Sequence, residues 1–255
     1  MKTRLLQLTL LFCVFISLVS FTINDNFKAE QFKSAHVKQA YAEKWAVLKT
    51  QLKDLDIDTN SFNIFIRIFK KEAQLEVWIK SSKDDSYKLF HSYDICSSSG
   101  ELGPKRKQGD GQVPEGFYEV SVFNPYSSYY LSLGLSYPNQ SDKILGGKGD
   151  LGGDIMIHGN CVTIGCIPIT DDKIKEVYTL AVEARSHGQS KIQVYSFPAK
   201  MDNAFMDWEK LMGFQSLNYD LYNFWKNIKE GYDYFEVNKK LPIISVDKAG
   251  KYIFK

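Results

Sequence analysis

IMIHGNCVTIGCIPIT, residues 155–170, is the stretch on which this chain turns. Ile155 to His158 fit a strand, with Met156 and His158 on one face and Ile155 and Ile157 on the other. Gly159 and Gly165 then interrupt the pattern around Cys161 and Cys166. Thr170 is a plausible N-cap, and Asp171 and Asp172 suit the positive end of a helix dipole. A histidine at a strand end, beside a glycine, is well placed for presentation in a site. A zinc centre, a disulfide loop and a cysteine nucleophile can all be built from these residue types.

Downstream, Ile174, Val177, Tyr178, Ala181 and Ala184 recur at helical spacing, and Gly188 is a natural stop. KIQVYSF, residues 191–197, reads as a strand closing a sheet. Upstream the period is two. Phe62, Ile64, Ile66 and Ile68, then Leu75, Val77 and Ile79, then Tyr87, Leu89, His91 and Tyr93 mark three consecutive strands. His91 reads as a core or edge histidine. GFYEVSVF and LSLGL add two strands. Between the two groups lies the Gly/Pro/charged segment 97–116, of a length that is usually functional or mobile. Val37, Tyr41, Trp45, Leu48 and Leu52 predict a helix over residues 28–53. The sequence predicts an α+β fold, mainly β. It divides into an N-terminal helical segment (23–61), a main domain (62–200) and an aromatic helical C-terminal extension (201–255) packed on it. In that extension FMDWEKLM and LYNFWKNI read as two short helices, with aromatics used for packing rather than as a glycan platform.

The chain has 255 residues, 44% hydrophobic and 24% charged, with a net charge of +2. Such a balance gives no electrostatic case for nucleic acid. MKTR followed by LLQLTLLFCVFISLVSF makes residues 1–22 a secretory signal or, uncleaved, an N-terminal anchor that would hold the chain at a membrane. Both place the rest of the chain outside the cytoplasm. There Cys96, Cys161 and Cys166 can form at most one internal disulfide, which leaves one thiol over. Cys96–Cys161 is the more attractive pair, because it ties a strand end to the loop; sequence leaves the pairing open.

Zinc is the weakest of the three readings. Structural zinc sites use tight ligand pairs, whereas this chain has C-x4-C and scattered histidines. The nucleophile reading explains more. Gly165 lets backbone approach a substrate, N–H groups around Gly165 and Cys166 can hold an oxyanion, and a helix just downstream favours a thiolate. Cys161, between Asn160 and Val162, has none of this. Cys166 is therefore the expected nucleophile and His158 its base.

HGNCVTIGC resembles the histidine–glycine and Ser/Thr-x-Gly-Cys signature of the L,D-transpeptidases with a YkuD-type catalytic domain. KQGDGQVPEGFYEV is similar to a second signature of that family. SYDIC, SGELGPKRKQGD and FWKNIKEGYDYFE resemble its YafK-like branch. The resemblance covers roughly residues 62–250. It implies a β-sandwich or barrel-like catalytic domain with mixed sheets and peripheral helices. The implied enzyme acts on peptidoglycan stem peptides through a thioester, in the periplasm or cell envelope, without metal or cofactor. By resemblance Cys166 is the nucleophile, His158 the proton acceptor and donor, and Gly165 the oxyanion-hole glycine. Gly159, Asn160 and Thr163, the last in place of the usual serine, are expected to line the substrate. Lys105, beside Arg106 and Lys107, is a candidate partner for stem-peptide carboxylates, against the plainer reading of a solvated basic turn. Pro168 replaces an arginine common two residues after the cysteine, which removes one carboxylate contact. Members of the short-loop branch resemble hydrolases that release groups from peptidoglycan, so transfer and hydrolysis both stand. A non-catalytic envelope-binding module is the rival from another class.

Overall fold

The computed structural model describes residues 26–211 and 219–255; the apolar segment 1–22 lies outside them. Eight strands form one curled sheet: β1 (Phe62–Phe69), β2 (Gln74–Ser81), β3 (Lys88–Asp94), β4 (Gly116–Asn124), β5 (Ser132–Leu135), β6 (Met156–His158), β7 (Ile167–Pro168) and β8 (Gln193–Phe197). Their order is β3-β2-β1-β8-β4-β5-β6-β7. The period-two segments become strands β1 to β3, joined as an antiparallel meander.

β8 corrects the expectation of a closing strand. It lies mid-sheet, parallel to β1 (Ile66↔Val194) and antiparallel to β4 (Phe117↔Tyr195). The reason is in its side chains. Val194, Tyr195, Ser196 and Phe197 are all buried, and a strand apolar on both faces belongs in the interior of a sheet.

Each face of β1 has its own cover. Ile64, Ile66 and Ile68 join an aliphatic core, whereas Phe65 and Phe69 join an aromatic one. The aliphatic side is covered from the N-terminus. Helix α1 (Ala35–Ala40) passes through a π-helical turn, Tyr41–Trp45, into α2 (Ala46–Asp54). Val37, Tyr41, Leu48 and Leu52 are buried there. A short helix α3 (Gln140–Leu145) follows β5, its end closed by a capping box between Asn139 and Asp142. Helix α4 (Thr170–Ser186) completes the aliphatic cover with Ile174, Val177, Tyr178, Ala181 and Ala184. Thr170 does not act as its side-chain cap; no side-chain hydrogen bond closes that end.

The aromatic face is covered from the C-terminus by α5 (Asn203–Leu211) and α6 (Tyr219–Asn238), then by a hairpin of β9 (Ile244–Val246) and β10 (Tyr252–Phe254). Only one of the two expected helices is short. LYNFWKNI runs on through GYDYFEV as a single 20-residue helix. Gly231 does not break it, because a Cβ there would lie 2.6 Å from the Phe254 ring and 2.7 Å from the Phe117 ring. Ring packing offsets the roughly 1 kcal/mol that glycine costs inside a helix. Arg67 is the one charge that β1 turns into this core. Its Nε and a terminal nitrogen donate to Glu76 Oε2 at 3.0 and 2.8 Å across the β1–β2 register, and Glu236 takes another N–H at 2.5 Å. The Trp78 indole donates to the same Glu76 oxygen at 2.7 Å, so the buried charge is paired on all sides.

Candidate active site

Two strand ends make the site. β6 and β7 run parallel, with Ile157 opposite Ile167 and His158 opposite Pro168. The same register sets Cys166 beside Met156. Side chains opposite each other, and those two residues apart, share a face of a sheet, so Cys166 and His158 emerge on one side. The Met156 N–H acts on the Cys166 sulfur in the direction that favours its anion. The Sγ in turn lies 3.5 Å from the Asp154 carbonyl.

His158 is buried, with its ring 4.6 Å from that of Tyr129. Its Nδ1 is 2.5 Å from the Gly159 carbonyl oxygen. A carbonyl only accepts, so Nδ1 carries the proton and Nε2 holds the lone pair. Burial pushes the imidazole pKa below its ordinary value, against the Gly159 hydrogen bond. Burial likewise pushes the Cys166 thiol up, with the Asp154 carboxylate adding to it and the Met156 N–H opposing. Burial thus favours the neutral form of both groups. Helix α4 begins at Thr170, too far along the chain for an effect confined to its first turn.

The loop between the two residues is held by short polar side chains bonded to its backbone. Gly165 sits at φ +132°, where an L side chain is strained, and a Cβ there would be 3.1 Å from the Gln112 carbonyl oxygen. Thr163 Oγ1 donates to the Cys166 carbonyl at 2.8 Å and accepts the Gly165 N–H at 3.1 Å. Among the described residues, nothing accepts the Cys166 N–H. Asn160 takes φ +56° and its N–H donates to Asp171 Oδ1 at 2.6 Å. Asn160 Oδ1 accepts the Cys161 N–H, also at 2.6 Å. A Cβ on Gly159 would come within 2.5 Å of Asp171 and 2.7 Å of the Tyr129 carbonyl. The atoms of Gly159, Asn160 and Thr163 are thus engaged in shaping the loop.

Of the pairings left open, the structure has Cys96–Cys161, with Cα atoms 5.6 Å apart, and Cys166 is free. The disulfide ties the end of β3 to this loop and takes two thiols from any metal-ligand set. Cys166 opens into a cavity of about 300 Å³ together with Ile68, Lys70, Ser97, Ser99 and Val113.

Segment 97–116, expected to be functional or mobile, is fixed by two carboxylates. Asp110 accepts from Lys105 Nζ at 2.6 Å and from the N–H groups of Arg106, Lys107 and Gln112. Glu115, fully buried, accepts from the Gly103 N–H at 2.7 Å, Lys70 Nζ at 2.9 Å and the Trp225 indole at 2.8 Å. Lys105 is itself buried, its ammonium taken by Asp110 and the Lys107 carbonyl. The plainer reading of a solvated basic turn does not hold for Lys105. Tyr129, Asp171, Lys70 and Glu115 were not legible as site residues. Asp171 carries a helix-start signal, Lys70 follows a strand without any motif, and Glu115 lies within KQGDGQVPEGFYEV with no mark of its own role; only the fold sets them here.

The comparisons with known proteins agree with this frame. A family model for the L,D-transpeptidase catalytic domain (YkuD) matches residues 63–195, from β1 to β8. The Escherichia coli (strain K12) protein named "Putative L,D-transpeptidase YafK" is 39% identical over 192 residues, which span 74% of this chain and 73% of that one. The crystal structure of the helical cell shape determining protein Pgp2 from Campylobacter jejuni aligns with a TM-score of 0.44 at 18% identity, covering 78% of this chain and 80% of that one. Bd1075 from Bdellovibrio bacteriovorus aligns at 0.38 and 18%, covering 73% and 77%. With its central sheet spanned by the family model and most of its length shared with a curated relative, the chain belongs to the L,D-transpeptidase family.

Proposed function

We propose that the chain is an exported, cysteine-dependent enzyme that acts on peptidoglycan stem peptides through a thioester acyl-enzyme. One observation carries the reading: the β6–β7 register sets the free thiol of Cys166 and the buried imidazole of His158 on one face, with Nε2 unprotonated. His158 Nε2 takes the thiol proton as sulfur attacks the peptide carbonyl. The N–H of the Gly165–Cys166 peptide, free of an internal acceptor, donates to the oxyanion. Collapse of the tetrahedral intermediate expels an amine, which leaves with the proton from His158, and the thioester remains on Cys166. A second amine gives transfer; water gives hydrolysis. Export is supported by the apolar N-terminal segment and by a disulfide, which persists in oxidising compartments. Gly159, Asn160 and Thr163 act on substrate by fixing the loop that faces it.

Mass spectrometry of peptidoglycan fragments incubated with this protein, beside its Cys166→Ala variant, tests the reading. Cross-linked or exchanged products that need Cys166 identify transfer, and shortened or released products identify hydrolysis. Identical digests from the two proteins, with the Cys166 thiol shown to be reduced, would leave a binding module instead.

A further inference from the structure

A larger cavity lies next to the Cys166 cavity. It is an open groove of about 960 Å³, walled by residues 102–106, helix α6 and the turn of the β9–β10 hairpin. Leu102 lines both, so the two cavities share a wall. The groove is built in advance. Trp225 pins α6 to Glu115, which also holds the Gly103 N–H. The Asn227 amide clamps the hairpin, donating to the Tyr252 carbonyl at 2.9 Å and accepting its N–H at 2.8 Å. A preorganised wall loses little binding energy to ordering.

The lining is mixed in a particular way. Phe224 and Arg106 form a stacked pair, guanidinium carbon 5.1 Å from the ring centroid, and both line the groove. Around them stand Asn223, the exposed Lys226, and the carboxylates Asp220 and Glu230. Acids and bases nearly balance, which disfavours a strongly charged ligand. An aromatic–guanidinium platform ringed by donors and acceptors of both kinds matches a sugar, with an apolar C–H face and a rim of hydroxyl and acetamido groups. The Cys166 cavity, about 300 Å³, is too small for a stem peptide together with its sugars.

We infer that this groove is a saccharide subsite, which holds the amino-sugar backbone of the substrate while the stem peptide reaches over Leu102 to Cys166. The inference rests on the function proposed above and adds that the substrate is glycan-linked. Most aromatics of the C-terminal extension are packing residues, as their burial shows; Phe224 packs on the aromatic core only in part, and its remaining surface lines the groove as a platform.

The test compares two probes with one stem peptide, the disaccharide-linked peptide and the free peptide. Calorimetric titration into the full chain carrying Cys166→Ala should show at least a tenfold tighter Kd for the disaccharide-linked probe. Adding Phe224→Ala, or separately Asn223→Ala with Lys226→Ala on the surface, should remove that preference and leave the free-peptide Kd unchanged. Equal affinity for both probes, or variants that weaken both alike, would overturn the inference. In the protein with Cys166 intact, the same variants should lower kcat/KM only for the disaccharide-linked probe. Cys166-independent product formation would instead overturn the proposed function, and the titration would still decide the groove.

Discussion

The corner around Cys166 and the aromatic face beneath α6 are held together in different ways. At the corner, short polar side chains and a disulfide hold backbone groups, and three non-glycine residues, Asp154, Asn160 and Thr170, take positive φ within a few residues of the site. Val162 and Ile164 are left largely exposed there. Under α6, side chains hold one another. Phe65, Phe69, Phe117, Tyr195, Phe197, Trp225 and Phe235 form one buried cluster, with ring pairs such as Phe65–Tyr195 at 4.6 Å and Phe117–Tyr195 at 4.7 Å. Strained backbone gathers at functional sites when the surrounding scaffold fixes it; Ile155, Ile157, Ile167 and Ile169 anchor this corner in the aliphatic core, and the aromatic core is a separate cluster. Chemistry and stability should therefore be separable by mutation.

Cys166→Ala should separate them most. Turnover should fall by about 10⁴-fold or more, the scale seen when a nucleophile is removed. The denaturation midpoint should stay where it is, because the thiol packs in no core cluster. Trp225→Ala is the converse. It removes a fully buried ring and leaves Glu115 Oε2 without the indole N–H, so stability should drop by about 3–5 kcal/mol in a urea titration. A stability loss below 1 kcal/mol would show that α6 is not part of the scaffold.

The Cys96–Cys161 bridge belongs to the corner, which it ties to the end of β3. Replacing both cysteines by serine opens a 65-residue separation, for about 2–4 kcal/mol of stability. It also frees the loop that carries Asn160, so turnover should fall as well; a stability change with full turnover would make the bridge purely structural. Gly165→Ala forces a side chain into φ +132° and toward the Gln112 carbonyl. Its cost in stability should be about 1–3 kcal/mol, with a proportionally larger loss of turnover, since the strain falls on the Gly165–Cys166 peptide.

The smallest effect is in pH dependence. Burial lowers the His158 pKa below its ordinary 6.5, so the acid limb of kcat/KM should have its midpoint below 6.5. Stability has the matching sign. The unfolded chain binds the His158 proton more readily, so that contribution is full above 6.5 and is lost as pH falls through the lowered pKa. The Cys166 thiol is raised from 9.0, so its contribution is full below 9.0 and is lost as pH rises through the raised value. An acid limb at or above 6.5 would mean that the imidazole is not buried in the working enzyme.

Much of this architecture was written locally. The period-two runs gave β1 to β3 within a residue or two, and the three- and four-residue spacing gave the stripes of α1, α2 and α4, because burial of one face depends only on spacing along the chain. Gly165 and the HGNCVTIGC spacing marked the corner for the same reason: a positive φ and a tight loop are demands on single residues. What the chain did not show locally was β8 between β1 and β4, the single long α6, and the buried partners of Lys105, Lys70 and Glu115. Each of these depends on residues far apart in sequence. β8 is central because two covers, one from each end of the chain, meet on either side of it. Lys105 is neutralised by Asp110 inside a loop whose fold no periodicity describes. The sequence by itself determined which residues form elements and which thiol is suited to chemistry. Only the tertiary structure decided which charges are spent internally and which groove lies beside the thiol, because pairing of buried charges and the shape of a cavity are set by contacts across the fold.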